Sequence, residues 1–278
     1  MTLRARLLSS SFEVDRLARI LTIVREEVAF RTFTDQDWLE LAGLLFERTT
    51  RYRHGSEHNE SGLFAFERAA IELAFPKPPA AILVGACGGG REILGLLDRG
   101  YRIAAAYDPV DSFIESLRAD PRLREIKDRI SVGSHQRIES LPFLTQPSAD
   151  GSAIDAVIVG WGSYTYLRGS PLRVEFLGKL RRLCPRGPVL LSVFAEMGSE
   201  PERPARLRAR LRRLLGTTPQ MAEPGDALNL GQGRVHYFTE AGFRAEAGEA
   251  GYRVDHWQEH DFGAAHAILF PQVRAEAG

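Results

Sequence analysis

Cysteine is nearly absent from this chain: Cys87 and Cys184 are the only two in 278 residues. Two distant thiols supply neither a disulfide framework nor a metal-ligand spacing, and free thiols suit a reducing cytoplasm. Lysine is scarce as well. Lys77, Lys127 and Lys179 are three of 36 basic residues, and the rest are arginines. In an alanine-rich chain this bias fits a GC-rich genome better than selection for phosphate binding. No charge surplus exists, because 36 Lys plus Arg balance 36 Asp plus Glu. With no net field to draw in a polyanion, nucleic acid is not expected as the main partner. No apolar run approaches bilayer length, and the N-terminus lacks a sustained apolar h-region, so neither a membrane span nor a signal peptide is expected. Internal repeats and low-complexity segments are missing too. What remains is an ordinary soluble composition, 44% hydrophobic and 26% charged. It is long enough for one large core with a smaller helical attachment, and cytoplasmic residence is the expectation.

Against that plain background one stretch stands out, Ala81-Ile82-Leu83-Val84-Gly85-Ala86-Cys87-Gly88-Gly89-Gly90-Arg91-Glu92. Four apolar residues predict a short buried strand, the glycines a turn, and Arg91 onward a helix. Such a turn brings bare backbone N–H groups to the carboxyl edge of a sheet at a helix N-terminus, where nucleotides bind. A second strand, Arg102 to Tyr107, delivers Asp108 at its tip. A carboxylate there can accept hydrogen bonds from both ribose hydroxyls. The dinucleotide fingerprint G-x-G-x-x-G is not met: from Gly88 the third position is Ile93, and from Gly85 the second is Cys87.

The run instead resembles motif I of the class I S-adenosylmethionine-dependent methyltransferases, acid-x-G-x-G-x-G, with Val84 in place of the acid and Ala86 in place of the first glycine of the triplet. The likeness continues in order over residues 78 to 271. It takes in the third strand Arg129 to Val132 with Ser134 where many members carry an acid, the fourth strand Ile154 to Val159, and the turn Gly160-Trp161-Gly162-Ser163-Tyr164 at the motif IV position. Helix Leu172 to Leu183, strand Pro188 to Phe194, helix Thr239 to Ala250 and strands Tyr252 to Gln258 and Ala264 to Phe270 complete it. The resemblance implies a doubly wound, Rossmann-like α/β domain with a mostly parallel seven-stranded sheet, the last strand antiparallel. It implies S-adenosylmethionine held along Gly85, Ala86, Cys87, Gly88 and Gly90. Asp108 and Pro109 would lie at the ribose, Ser134 and His135 near the adenine, and Gly160 and Trp161 at the motif IV turn. The turn after the fourth strand lacks the [DN]-P-P-[FY] of amino-methylating DNA enzymes. It also lacks the acid of metal-dependent catechol-type enzymes, so no metal is expected and a small-molecule acceptor is favoured.

Methyl transfer from a sulfonium needs an aligned nucleophile and exclusion of water more than any particular side chain. Where an oxygen must lose its proton, histidine is the usual base near neutral pH. His236, before the Thr239 helix on the ligand edge, is the first candidate, and packing there is the alternative. Tyr164 and Trp161 are candidates to wall the acceptor site or meet the sulfonium through cation–π contact. His54, with His58 and Glu60, lies in a polar break from which it can reach the cavity.

Residues 1–77 read as a helical cap and 78–278 as the methyltransferase domain, with an insertion at about 199–234. In the cap, Ser10 with Glu13 resembles a capping box, and Val14, Leu17, Ile20, Leu21, Val24 and Val28 form a helical apolar stripe expected to be core. Thr34 to Asp37 repeats the start signal ahead of Trp38, Leu41, Leu45 and Phe46, and a third helix carries Phe66, Ala70 and Leu73. In the insertion, Arg203 to Leu215 reads as an amphipathic helix with a solvated arginine face, and 219–233 as a lid-like loop. Two further readings stay open: a non-catalytic S-adenosylmethionine binder on the same fold, and an NAD-linked oxidoreductase.

Overall fold

The computed structural model describes residues 3–145, 154–196, 223–229, 231–261 and 263–272; the expected arginine-rich helix of the insertion lies outside them. The chain alternates strand and helix as the apolar pattern requires. The strands are β1 (Ala81–Gly85), β2 (Arg102–Asp108), β3 (Ile130–Val132), β4 (Ala156–Val159), β5 (Val189–Ala195), β6 (Asp226–Asn229), β7 (Gly233–Phe238), β8 (Tyr252–His260) and β9 (Ala264–Pro271). Seven of them form the main sheet in the order β3-β2-β1-β4-β5-β9-β8, all parallel up to β5, with β9 antiparallel to both of its neighbours. The strand order reverses between β1 and β4, the crevice where ligands bind in open α/β sheets.

Burial on both faces explains the continuous apolar runs of the inner strands. Ile82 and Val84 of β1 face one core with Ile93 and Leu96 of α5 (Arg91–Leu97) and Ile114 and Leu117 of α6 (Asp111–Ala119). Leu83, between them, faces the opposite core with Phe176 and Leu180 of α7 (Ser170–Leu183) and Phe243 of α8 (Glu240–Glu249). That is the period-2 alternation of a strand between two helical layers.

The N-terminal helices include α1 (Leu3–Thr32), α2 (Asp35–Arg48), the short α3 (Glu57–Glu60) and α4 (Ala65–Ala74). Thr34 caps α2 as the sequence suggests: its hydroxyl accepts from Asp37 N–H, and the Asp37 carboxylate accepts from Thr34 N–H at 2.7 Å. Two expectations fail in α1. The helix runs straight through Ser10, so it does not start there. The apolar stripe is also outside, with Val14, Leu17 and Leu21 about 60% or more exposed at 64%, 59% and 68%. Ile23 and Phe30 on another side make the packed face, Phe30 against Trp38. A third correction concerns the segment expected as a loop up to 233: Asp226–Asn229 pairs antiparallel with Gly233–Phe238, a hairpin whose second strand joins β5 at Phe194 and Ala195. Among the described residues no helix is long and apolar enough to cross a membrane.

Candidate functional site

The site is built at the carboxyl ends of β1, β2 and β4. β1 stops at Gly85, and the turn 86–90 reverses the chain through left-handed conformations at Ala86 (φ 51°), Gly88 (φ 50°) and Gly90 (φ 91°). A side chain at Gly88 would meet nothing within 4 Å, whereas one at Gly89 would lie 2.2 Å from Asn59 Nδ2 and 2.5 Å from the Tyr52 carbonyl. The turn is therefore open on one side and clamped by the cap on the other. Ala86 is the one non-glycine residue with positive φ among the described residues; replacing the family's glycine there is a strained choice rather than a neutral one.

Asp108, at the tip of β2, faces this opening. Its Oδ2 accepts from Gly88 N–H at 2.8 Å and its Oδ1 from Val110 N–H at 2.9 Å. Burial pushes its carboxyl up to about 6 against the pull of these two N–H groups. Each oxygen keeps a second lone pair, so the carboxylate is held in orientation yet can still take two hydroxyl donors.

Around this point opens a cavity between the carboxyl edge of the sheet and the N-terminal helices. Of the residues the sequence put forward, Ala86, Cys87, Gly88, Asp108, Pro109, Ser134, His135 and Trp161 line it. Gly85, Gly90 and Gly160 stand behind the wall; a side chain on Gly160 would strike the Ala86 carbonyl at 2.2 Å, so this glycine permits close approach of the two turns. The Cys87 thiol is buried, which holds it well above its ordinary range, so it is no thiolate nucleophile.

The histidines sort differently from the sequence reading. His236 faces Asp226 across the hairpin, Nδ1 to Oδ1 at 3.0 Å, with its ring edge against Phe238, and it does not line the cavity. Arg234 binds the other oxygen of Asp226 at 2.5 Å. Burial acts to raise that carboxyl, but the His236 and Arg234 contacts outweigh it and keep it low. His54 is also outside the cavity: it lies between the Gly89 carbonyl at 2.8 Å and Asp120 at 2.7 Å, pinning the cap to the glycine turn. His135 lines the cavity, yet both its nitrogens are engaged, Nδ1 with the Tyr107 hydroxyl at 2.7 Å and Nε2 with Ser163 Oγ at 3.1 Å. Ser163 gives its own proton to the Gly160 carbonyl, so His135 donates from Nε2 and accepts at Nδ1. Burial takes it down to about 3, neutral and with no lone pair to spare. His58 lines the cavity, brought to about 4 by burial and by the charges of Arg91 and Arg51, and is uncharged near neutrality.

Tyr164 is not a cavity wall. It is wholly buried in the lower core, its hydroxyl 3.3 Å from Glu246, stacked on Phe238. Its neighbour Tyr166, two residues on, does line the cavity and meets Phe46 edge-on. Sequence reasoning also passed over Glu92, Arg168 and Arg234, which line it too. Glu92 is buried beside Arg91 at 2.6 Å, while the same guanidinium binds Glu67 at 2.5 and 2.7 Å. Two carboxylates share one cation, and burial together with Glu67 raises Glu92 despite Arg91. Among the described residues no group of three or more His, Cys, Asp or Glu is placed to hold a metal.

No protein-family model and no curated protein matches the chain, but solved structures do. A 1,6-didemethyltoxoflavin-N1-methyltransferase from Burkholderia thailandensis, solved with 1,6-didemethyltoxoflavin and S-adenosylhomocysteine bound, is 15% identical over 84% of this chain and 89% of that one, at TM-score 0.51. A SAM-dependent methyltransferase from Methanosarcina mazei is 18% identical over 77% of this chain and 100% of its own, at TM-score 0.51. Another from Clostridium acetobutylicum is 9% identical over 75% and 89%, at TM-score 0.50. The chain has the Rossmann-like methyltransferase fold.

Proposed function

We propose that this protein is an S-adenosylmethionine-dependent methyltransferase whose acceptor is a small molecule methylated on oxygen or nitrogen. The observation that carries the reading is the Asp108 carboxylate, buried, backbone-oriented and with lone pairs remaining, beside the open face of Gly88 at the β1/β4 reversal. Those residues fit an adenosine-bearing group: Asp108 takes the ribose hydroxyls, Pro109, Ser134 and His135 border the base, and Ala86, Cys87, Gly88 and Trp161 border the methionine portion. Bound there, the sulfonium donor supplies an already activated methyl group with a neutral thioether as leaving group.

The chain's own residues then have two tasks. The cap aromatics Trp38, Phe46 and Tyr52 line the cavity from above the sheet and keep water from the nucleophile. They also hold a flat acceptor in line, worth on the order of 7–11 kcal/mol when the alignment is good. An amine that is already neutral needs no base. For a hydroxyl, His58 is, of the two uncharged histidines lining the cavity, the one whose ring nitrogens are not both engaged by the protein, while His236 serves to orient Asp226. Proton transfer of this kind contributes about 10²–10⁴-fold.

The test begins with S-adenosylhomocysteine, which should raise the melting temperature, whereas NAD should not; stabilisation by NAD alone would overturn the reading in favour of an oxidoreductase. Incubation with S-adenosylmethionine and small-molecule extracts should then yield S-adenosylhomocysteine and a methylated product. Binding without turnover on any acceptor would reduce the protein to a binder.

A further inference from the structure

We infer that the methyl acceptor carries an anionic group, a carboxylate on a flat ring, seated on Arg168 and Arg234 at the far end of the cavity from Asp108. This deepens the proposed function and rests on the reading of the Asp108 end as the donor site. Asp108 ends β2 and Arg234 lies in β7, with β1, β4 and β5 between them in the sheet. The two ends of the cavity thus belong to different halves of the fold.

Arg168 and Arg234 both line the cavity, and each spends only part of its donor set on a protein carboxylate. Arg168 Nε meets Asp35 at 2.5 Å and Arg234 Nη2 meets Asp226 at 2.5 Å. Buried Arg168 Nη1 and buried Arg234 Nε have no hydrogen-bond partner. A guanidinium can only donate, and a buried donor left unpaired in a native fold calls for an explanation. One such donor is a local accident of packing; two on different elements lining one cavity ask for a shared acceptor. A carboxylate has the lone pairs and planar geometry to take both, and the charge to make the bonds strong.

Electrostatics point the same way. Arg234 is lowered from its ordinary range, first by its burial and, against the pull of Asp226, by the nearby charges of Arg168 and Arg173. An anion between the two cavity guanidiniums would relieve that crowding. At the other end two carboxylates, Glu92 and Glu67, share the one Arg91 guanidinium. Carboxylates are thus in excess where a sulfonium and its ammonium would lie, whereas at the acceptor end each guanidinium meets one carboxylate and keeps an N–H unpaired. Between them the walls are ring faces and edges, Trp161, Tyr166 and Phe194, which suit a flat body on the anionic group.

The experiment uses matched acid and amide probes on the full chain saturated with S-adenosylhomocysteine. The pairs are benzoate and benzamide, 2-naphthoate and its amide, and indole-3-carboxylate and its amide, each titrated by calorimetry. At least one acid should bind about tenfold or more tighter than its amide, as expected for charge-assisted hydrogen bonds over neutral ones. Arg168→Gln, which gives up only a half-exposed ion pair with Asp35, should erase most of that preference. Arg234→Lys, which retains a cation for Asp226 but lacks the Nε donor, should do the same if it folds. Affinity for S-adenosylhomocysteine should stay within about twofold in both variants, since neither position lies at the donor end. If no acid in the set outbinds its amide, or if R168Q keeps the preference intact, the inference is overturned. If the wild-type chain fails to bind S-adenosylhomocysteine at all, the reading beneath it has failed instead.

Discussion

Lowering the pH from 7 to 5 should weaken nucleoside binding by protonating Asp108, and the size of the effect follows from its surroundings. Burial holds this carboxyl at about 6, while Gly88 and Val110 N–H groups favour its charged form. Ribose hydroxyls donate, so the binding-competent form is the carboxylate. With a midpoint near 6, it is about 90% ionised at pH 7 and about 10% at pH 5, so affinity should fall about tenfold, or ~1.4 kcal/mol. The stability sign is opposite. A carboxyl raised above its unfolded value of 3.8 contributes stability that is present at low pH and lost as pH rises through about 6. The ligand-free protein should thus gain from this group under the conditions where binding weakens. Adenosine is the cleanest probe, because it carries the ribose but nothing that titrates in this range. Calorimetry at pH 5 should also show uptake of the released proton by buffer, as a dependence of apparent enthalpy on the buffer used. Asp108→Ala should cost roughly 1.5–3 kcal/mol of affinity at pH 7 and flatten the profile. A wild-type affinity unchanged between pH 7 and pH 5, or a D108A variant that binds adenosine as tightly as wild type, would refute the assignment.

Three further perturbations test the frame around the site. Ala86→Gly should stabilise the protein by about 0.5–1 kcal/mol in chemical denaturation, since relief of a left-handed alanine exceeds the added chain entropy of glycine. Gly89→Ala places a methyl 2.2 Å from Asn59 Nδ2 and 2.7 Å from His54 N, which should cost about 1–3 kcal/mol and show as faster amide exchange over 50–60. Arg173→Met strands Glu246, which now receives the Arg173 guanidinium at 2.6 Å beneath Tyr164; breaking a buried pair from one side should cost about 3–5 kcal/mol, read from the urea midpoint.

The parts of the site visible in the sequence are those that local rules determine. Ile82 to Gly90 can be only a buried strand running into a glycine turn, and the next strand must end on Asp108, so the pairing of Gly88 with Asp108 follows from short-range pattern plus one parallel register. What escaped notice depends on rotation or on pairing. The turn 163–166 is a single 3₁₀ stretch, with three residues per turn, so residues two apart point to different sides: Tyr164 goes down to Glu246 and Tyr166 goes to the cavity. In α1 the apolar stripe is real, but the face that packs is set by where Trp38 meets Phe30, a contact with no signature in helical periodicity. His236 reads as a ligand-edge base because nothing in its neighbours reveals Asp226; only the antiparallel register that sets Asp226 opposite His236 does so. That same register turns Arg234 against Asp226 and leaves its Nε unpaired. The hairpin that removes the sequence's favoured base from the cavity supplies, two residues earlier, the guanidinium proposed above to seat the acceptor's anionic group. The cofactor end is legible while the acceptor end is not because only the former is built from one continuous βαβ unit.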